Sequence, residues 1–166
     1  MKYSLLILIS IPFVLFANPG ELMKSAYMSS LSVKEFHLTQ KALFDICKSE
    51  IEDHEKLNKW LNSKQSEFDL AESIRVLFVN KGVENKGSAL KNVFTQHLNT
   101  IDSKVAQTIM PFTSGQELDK SKACNNWSDA LSNPNSALLL RYKGKIDFLK
   151  SKFKEIDKAI NSASNW

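Results

Sequence analysis

A chain of 166 residues, 43% of them hydrophobic, is long enough to bury one apolar core. Five glycines and four prolines are too few turn formers for a β-sandwich or barrel and point to long helices. The formal net charge of +4, from 22 basic and 18 acidic residues, is a slight surplus rather than a basic arm, and it argues against a nucleic-acid partner.

Residues 1–17 read as a secretory leader. Lys2 supplies a minimal positive end, Leu5 to Phe16 are almost wholly apolar, and Ala17 suits a cut just before Asn18-Pro19-Gly20. The apolar core is about a dozen residues, short of the roughly twenty needed to cross a hydrocarbon layer. Leu15 is bulkier than the residue usual at the third position before the cut, so an uncleaved anchor is the rival reading. No cysteine follows Ala17 for lipid attachment, and no twin arginine precedes the apolar core. The expectation is a secreted or periplasmic protein whose residues 18–166 form one domain.

Pro19 sits early in a short first helix over 19–30. Ser32-Val33-Lys34-Glu35 spells a capping box, predicting a long second helix to about Asn62. Phe36, Leu43, Cys47, Ile51, Leu57 and Leu61 would share its buried face. A further box, Asp69-Leu70-Ala71-Glu72, precedes Ile74 and Phe78, with a stop expected at Asn80-Lys81-Gly82. The β-branched content of Ile74 to Val79 also suits a buried strand, but there is no second strand to pair with it. After Lys86-Gly87-Ser88, the residues Leu90, Phe94, Leu98, Ile101, Val105 and Ile109 mark an amphipathic helix closed by Pro111. Ser114-Gly115-Gln116-Glu117 starts a shorter helix carrying Leu118, Cys124, Trp127 and Leu131, and Ser132-Asn133-Pro134-Asn135 is a turn.

The last helix has the strongest pattern. Leu139, Tyr142, Ile146, Leu149, Phe153, Ile156 and Ile160 alternate spacings of three and four, the narrow seam of a bundle or coiled-coil helix. That seam would serve an intramolecular core or a homo-oligomer equally. Gly144 within it costs up to about 1 kcal/mol relative to alanine unless it admits a close crossing. The fold class is therefore all-α: a single-domain, up-and-down helical bundle of about five or six helices behind a signal peptide.

Cys47 and Cys124 both fall on buried helix faces. In an exported chain they predict a disulfide, which would remove about 4 to 5 kcal/mol of unfolded-state freedom, with two silent core thiols as the alternative. Of the three histidines, His54 is expected at the core edge one turn after Glu50, and His97 borders the stripe of its own helix. Either is a candidate metal or haem ligand, although a hydrogen-bonded core histidine explains both as well. No His-Glu-x-x-His run, Cys-x-x-Cys-His motif, nucleophile elbow or glycine-rich phosphate loop is present. Glu50, Glu52, Asp53 and Glu55 spread around a helix as a solvated face would, without the glycine of a calcium loop. Arg141, Lys143, Lys145, Lys150, Lys152, Lys154 and Lys158 line the outside of the last helix, interrupted by Asp147, Glu155 and Asp157. They read as a solvated face before they read as a membrane-surface contact. Asn126-Trp127-Ser128 is a sequon inside a helix.

The expected role is protein–protein interaction by an exported helical protein, with no cofactor and no metal. A carrier of a small hydrophobic ligand or haem between helices is one rival, and an enzyme whose site assembles only in three dimensions is the other.

Overall fold

A computed structural model describes residues 18–114 and 117–162. The proposed leader at 1–17, the Gly115-Gln116 part of the fourth start signal and the terminal Trp166 lie outside them. Six helices make up almost all of the described chain, with no strand among the described residues. They are α1 (Pro19–Cys47), α2 (His54–Ser63), α3 (Gln65–Lys86), α4 (Ser88–Thr113), α5 (Glu117–Ser132) and α6 (Ala137–Ser162).

Several boundaries differ from the sequence expectation, each for a local reason. The first two predicted helices are one, broken near Lys48 rather than near Leu31. Asn18 caps its start, accepting from the Gly20 N–H at 2.9 Å, and Pro19 fills a position whose N–H would have no partner. Ser32 does not cap anything. Its hydroxyl donates back to the Met28 carbonyl at 3.0 Å, as a mid-helix serine does. The predicted run to Asn62 is interrupted at 48–53, where Ile51 stays buried although it lies outside any helix. Asp69 likewise lies inside α3, where it accepts from Gln65 Nε2 at 2.7 Å.

Gly82 does not stop α3. A Cβ there would meet Leu90 Cδ2 at 2.8 Å and the Phe94 ring at 3.2 Å, so this glycine lets α4 approach α3 closely. The helix ends at Gly87, whose φ of 73° is the left-handed stop expected five residues earlier. Pro111 falls within the last turn of α4 instead of closing it.

Pairwise contacts give the path of the chain. From α1, the pairs Phe36–Trp60 and His37–Phe68 lie at one level, and Lys34–Glu72 and then Tyr27–Phe78 move back toward its start. So α2 and α3 descend α1 in succession. The pairs Tyr27–His97 and Glu35–Lys104 show α4 rising beside it. Cys47–Cys124, Gln40–Trp127 and Phe36–Tyr142 then show α5 and α6 descending, again in succession. The molecule is a helical bundle of four rods, two unbroken and rising, two broken and falling. The breaks lie at Lys64 and at the turn expected around Asn133-Pro134. Both α1 and α3 pack against α4 and against α6, which leaves α4 and α6 at opposite corners.

The α6 seam is spent inside the molecule. Tyr142, Ile146, Leu149, Ile156 and Ile160 are buried with Leu22, Met23, Ala26, Val33, Ala71 and Ile74. Each full burial of such an aliphatic side chain contributes roughly 1.5–3 kcal/mol. Phe153 departs from the pattern and is 41% exposed. Gly144 is no crossing point, because a Cβ there would meet nothing within 4 Å. Gly144→Ala should therefore raise stability by about 0.5–1 kcal/mol in urea unfolding. A loss would mean that the backbone there needs glycine.

Candidate binding groove

The expected cysteine pair is brought together. Cys47 at the end of α1 and Cys124 in α5 stand at disulfide distance, with Cα atoms 5.4 Å apart and both side chains fully buried. Around them Leu43, Ile51, Leu57, Trp127 and Leu131 form one apolar cluster. Trp127 places its indole N–H on buried Gln40 Oε1 at 2.6 Å, which satisfies the indole donor and the amide oxygen.

The histidines are not assembled. His54 is exposed at the start of α2 rather than at the core edge, because the break at 48–53 ends the helix that would have carried it inward. His97 is half-buried beside Tyr27, its Nδ1 3.1 Å from the phenol oxygen. Tyr27 lies some 30 Å along α1 from the Cys47 end where α2 begins. Glu50 pairs with Lys120 at 3.4 Å, and no metal-holding group of three or more ligands occurs among the described residues.

Two carboxylates are held by networks that the sequence did not reveal. Glu67 faces a cavity of about 310 Å³ lined in part by Trp60, Lys64 and Tyr142. Burial pushes Glu67 up. That push is outweighed by hydrogen bonds from Lys150 at 2.8 Å and Tyr142 at 2.9 Å and by the Lys64 charge, so it stays below the usual carboxylate range. Tyr142 is driven well above its ordinary value by burial and by the adjacent Glu67. Hydrogen bonds from Arg75 hold Glu72 down against the effect of burial, with Lys34 assisting. A stably ionised carboxylate with three donors is a poor proton shuttle, and a raised phenol is a poor base. These groups brace α3 against α1 and α6.

These shifts have a consequence for stability. Folded carboxyls titrating below the ordinary 4.5 contribute stability that is complete above pH 4.5 and is lost as pH falls through their lower folded values. His37, stacked on Phe68 at 4.2 Å, is also shifted down, first by burial and then by Lys41 and Lys34, against an opposing Asp69. Its neutral form is favoured, so that contribution is complete above pH 6.5 and falls away below it. Urea midpoints should hold near pH 7, decline below 6.5 and fall more steeply below 4.5. His37→Phe, which keeps the stacking, should flatten the first decline only. An unchanged first decline would refute its assignment to His37.

The corner arrangement leaves a groove along α1 with α4 as one wall and α6 as the other. Its upper part holds about 650 Å³, lined among others by Val33, Phe36, Thr39, Lys104, Leu138 and Arg141. It continues downward as a shallower trough of about 380 Å³ past Ser25, Ser29, Leu140, Gly144 and Lys145. Arg141 and Lys145 line both parts. Met28 lies on the same face of α1 as Ser32, Glu35 and Thr39, at helical spacings of four, seven and eleven.

Three properties set this groove apart. Ser29 and Thr39 are 4% and 8% exposed, and their hydroxyls have no hydrogen-bond partner among the described residues. Met28 and Leu140, 51% and 53% exposed, bring apolar surface to the flanks of this channel. Lys104 pairs with Glu35 at 3.3 Å, whereas Arg141 and Lys145 form no ion pair among the described residues. The sequence presents the outward lysines of α6 as a solvated face, and Lys150 and Lys152 there form ion pairs with Glu67 and Glu155. The sequence offered no signal for the groove, because its hydroxyl floor comes from α1 and its cations from α4 and α6. Compared with protein-family models, curated proteins and solved structures, the chain matches none.

Proposed function

We propose that this chain is an exported, single-domain, up-and-down helical bundle that acts by binding another protein along the α1/α4/α6 groove. The observation that carries the reading is the coincidence, in one channel, of buried hydroxyls without partners and exposed apolar side chains. An unpartnered buried hydroxyl is costly and exposed apolar area is wetted, and an occupant relieves both. Export rests on the 1–17 segment and on a cysteine pair whose bond persists in an oxidising compartment. A carrier role for a small amphiphile is the second reading, supported by a volume within the range of ligand pockets.

The test fills the groove. Gly144→Trp places an indole where nothing lies within 4 Å of a Cβ, so the fold is spared. The chain and this variant are cross-linked in place in the extracytoplasmic fraction of the native host and recovered. The reading predicts a discrete adduct with a second protein that Gly144→Trp abolishes and Lys154→Trp, elsewhere on α6, does not. Recovery of the chain from the cell interior, or an adduct indifferent to Gly144→Trp, overturns it. A lipid extracted from the chain in place of a protein adduct transfers the groove to the second reading.

A further inference from the structure

We infer that the groove accepts an acidic amphipathic helix, one that carries carboxylates a turn apart beside its apolar stripe. The inference rests on the protein-binding reading above and names the chemistry of the partner.

Charge comes first. The walls present three cations, Lys104 on α4 and Arg141 and Lys145 on α6, against the single carboxylate of Glu35. Arg141 and Lys145 are four residues apart, so their side chains are neighbours on one helical face, about 5–6 Å apart at Cβ. Two carboxylates at the same spacing on a facing helix match them pair for pair. Arginine adds a planar fork suited to a carboxylate. A basic partner would meet uncompensated repulsion here.

Shape comes second. The floor from Ser25 to Gln40 spans roughly 22 Å of helix, enough for about four turns of a docked helix. Where it meets α6 below Arg141, that floor is made of Ser25 and Ser29, opposite Gly144. Residues this small let a second backbone come close. Leu140 beside the trough and Met28 on the same face of α1 then offer apolar surface to the partner's stripe, the helix-in-groove mode of recognition. Ser29 and Thr39 are the polar anchors: each buried hydroxyl donates to a side-chain oxygen that a partner glutamate or glutamine brings in.

Openness decides against an acyl chain. The groove is open along its length, so a lipid tail lying in it would keep one side in water. A helix buries one stripe and leaves its opposite face solvated. The two unpaired cations, Arg141 and Lys145, also stand one helical turn apart, a spacing that two carboxylates of one helix match better than one compact headgroup.

The test places a photoreactive phenylalanine analogue at Leu140 of the full chain, expressed in its native host, and identifies the cross-linked peptide by mass spectrometry. The expected peptide has apolar residues at helical spacing with Asp or Glu four apart beside them. The double charge reversal Arg141→Glu, Lys145→Glu should reduce the adduct at least tenfold, and Lys154→Glu, Lys158→Glu should leave it intact. Both variants are checked for native circular dichroism, and their charge changes lie on side chains exposed in the free chain. A protein adduct through a basic or uncharged peptide, or one insensitive to the reversal, overturns this inference while leaving the protein-binding reading standing. A lipid adduct at Leu140, or no adduct there while another face cross-links, overturns both.

Discussion

Replacing both cysteines, as Cys47→Ser with Cys124→Ser, should lower stability by about 4.5 kcal/mol. The pair closes a loop of 77 residues, and the chain-entropy relation assigns that figure to a crosslink of this span. For a domain of this size the melting temperature should fall by roughly 10–15 °C. Native helix content should survive at low temperature, because Leu43, Leu57, Trp127 and Leu131 still pack together and Gln40 still accepts from the Trp127 indole. Calorimetry of the oxidised chain, the reduced chain and the double serine variant provides the measurement. A loss below about 1 kcal/mol on reduction would show that the sulfurs are adjacent without being joined.

Leu149→Ala in α6 should cost about 3–4 kcal/mol, while Phe153→Ala, one turn further along the same predicted seam, should cost less than about 1 kcal/mol. Leu149 is wholly buried among side chains of α1 and α3, so truncation removes its transfer free energy and leaves a cavity that rigid neighbours cannot close. Phe153 is 41% exposed, and its loss exposes little that was dry. Chemical denaturation of the two variants at one pH gives both numbers. Equal and large costs would mean that Phe153 is covered, as in a homodimer built on α6. The solution mass of the Phe153→Ala variant would then report monomer where the parent chain reports dimer.

Helix identity was written plainly in the sequence, because a 3.6-residue apolar period over several turns leaves few alternatives. The α4 stripe and, apart from Phe153, the α6 seam fell where expected, and Cys47 and Cys124 lie at disulfide distance. Helix ends were legible only in part. Ser32 and Asp69 sit in capping-box patterns, yet both lie within helices, where their side chains bond to Met28 and Gln65 of the same helix instead of capping a new one. Gly82 shows the same limit from the other side. Its role depends on Leu90 and Phe94 arriving from the next helix, and only the fold brings them there.

The groove was illegible for a related reason. Serine on a helix face reads as solvated, and Ser29 is 4% exposed only because α6 packs beside it along the trough. Arg141 and Lys145 look like any outward pair, since nothing in their local sequence separates them from Lys152, which has Glu155 one turn on. What distinguishes them is the absence of α4–α6 packing across α1, a property of the arrangement of rods. The buried aromatic pairs Tyr27–Phe78 and Phe36–Tyr142 were hidden in the same way, each joining helices far apart in the chain.

The claim that the α1/α4/α6 channel is occupied in its working state is tested most directly by methionine oxidation. Met28, on the groove face of α1, and Met110, on the side of α4 turned away from the groove, are 51% and 59% exposed. They should oxidise at similar rates in the purified chain. In its native compartment, brief hydroxyl-radical or peroxide labelling should spare Met28 severalfold while Met110 reacts as before. Equal oxidation of the two in both settings would contradict the account.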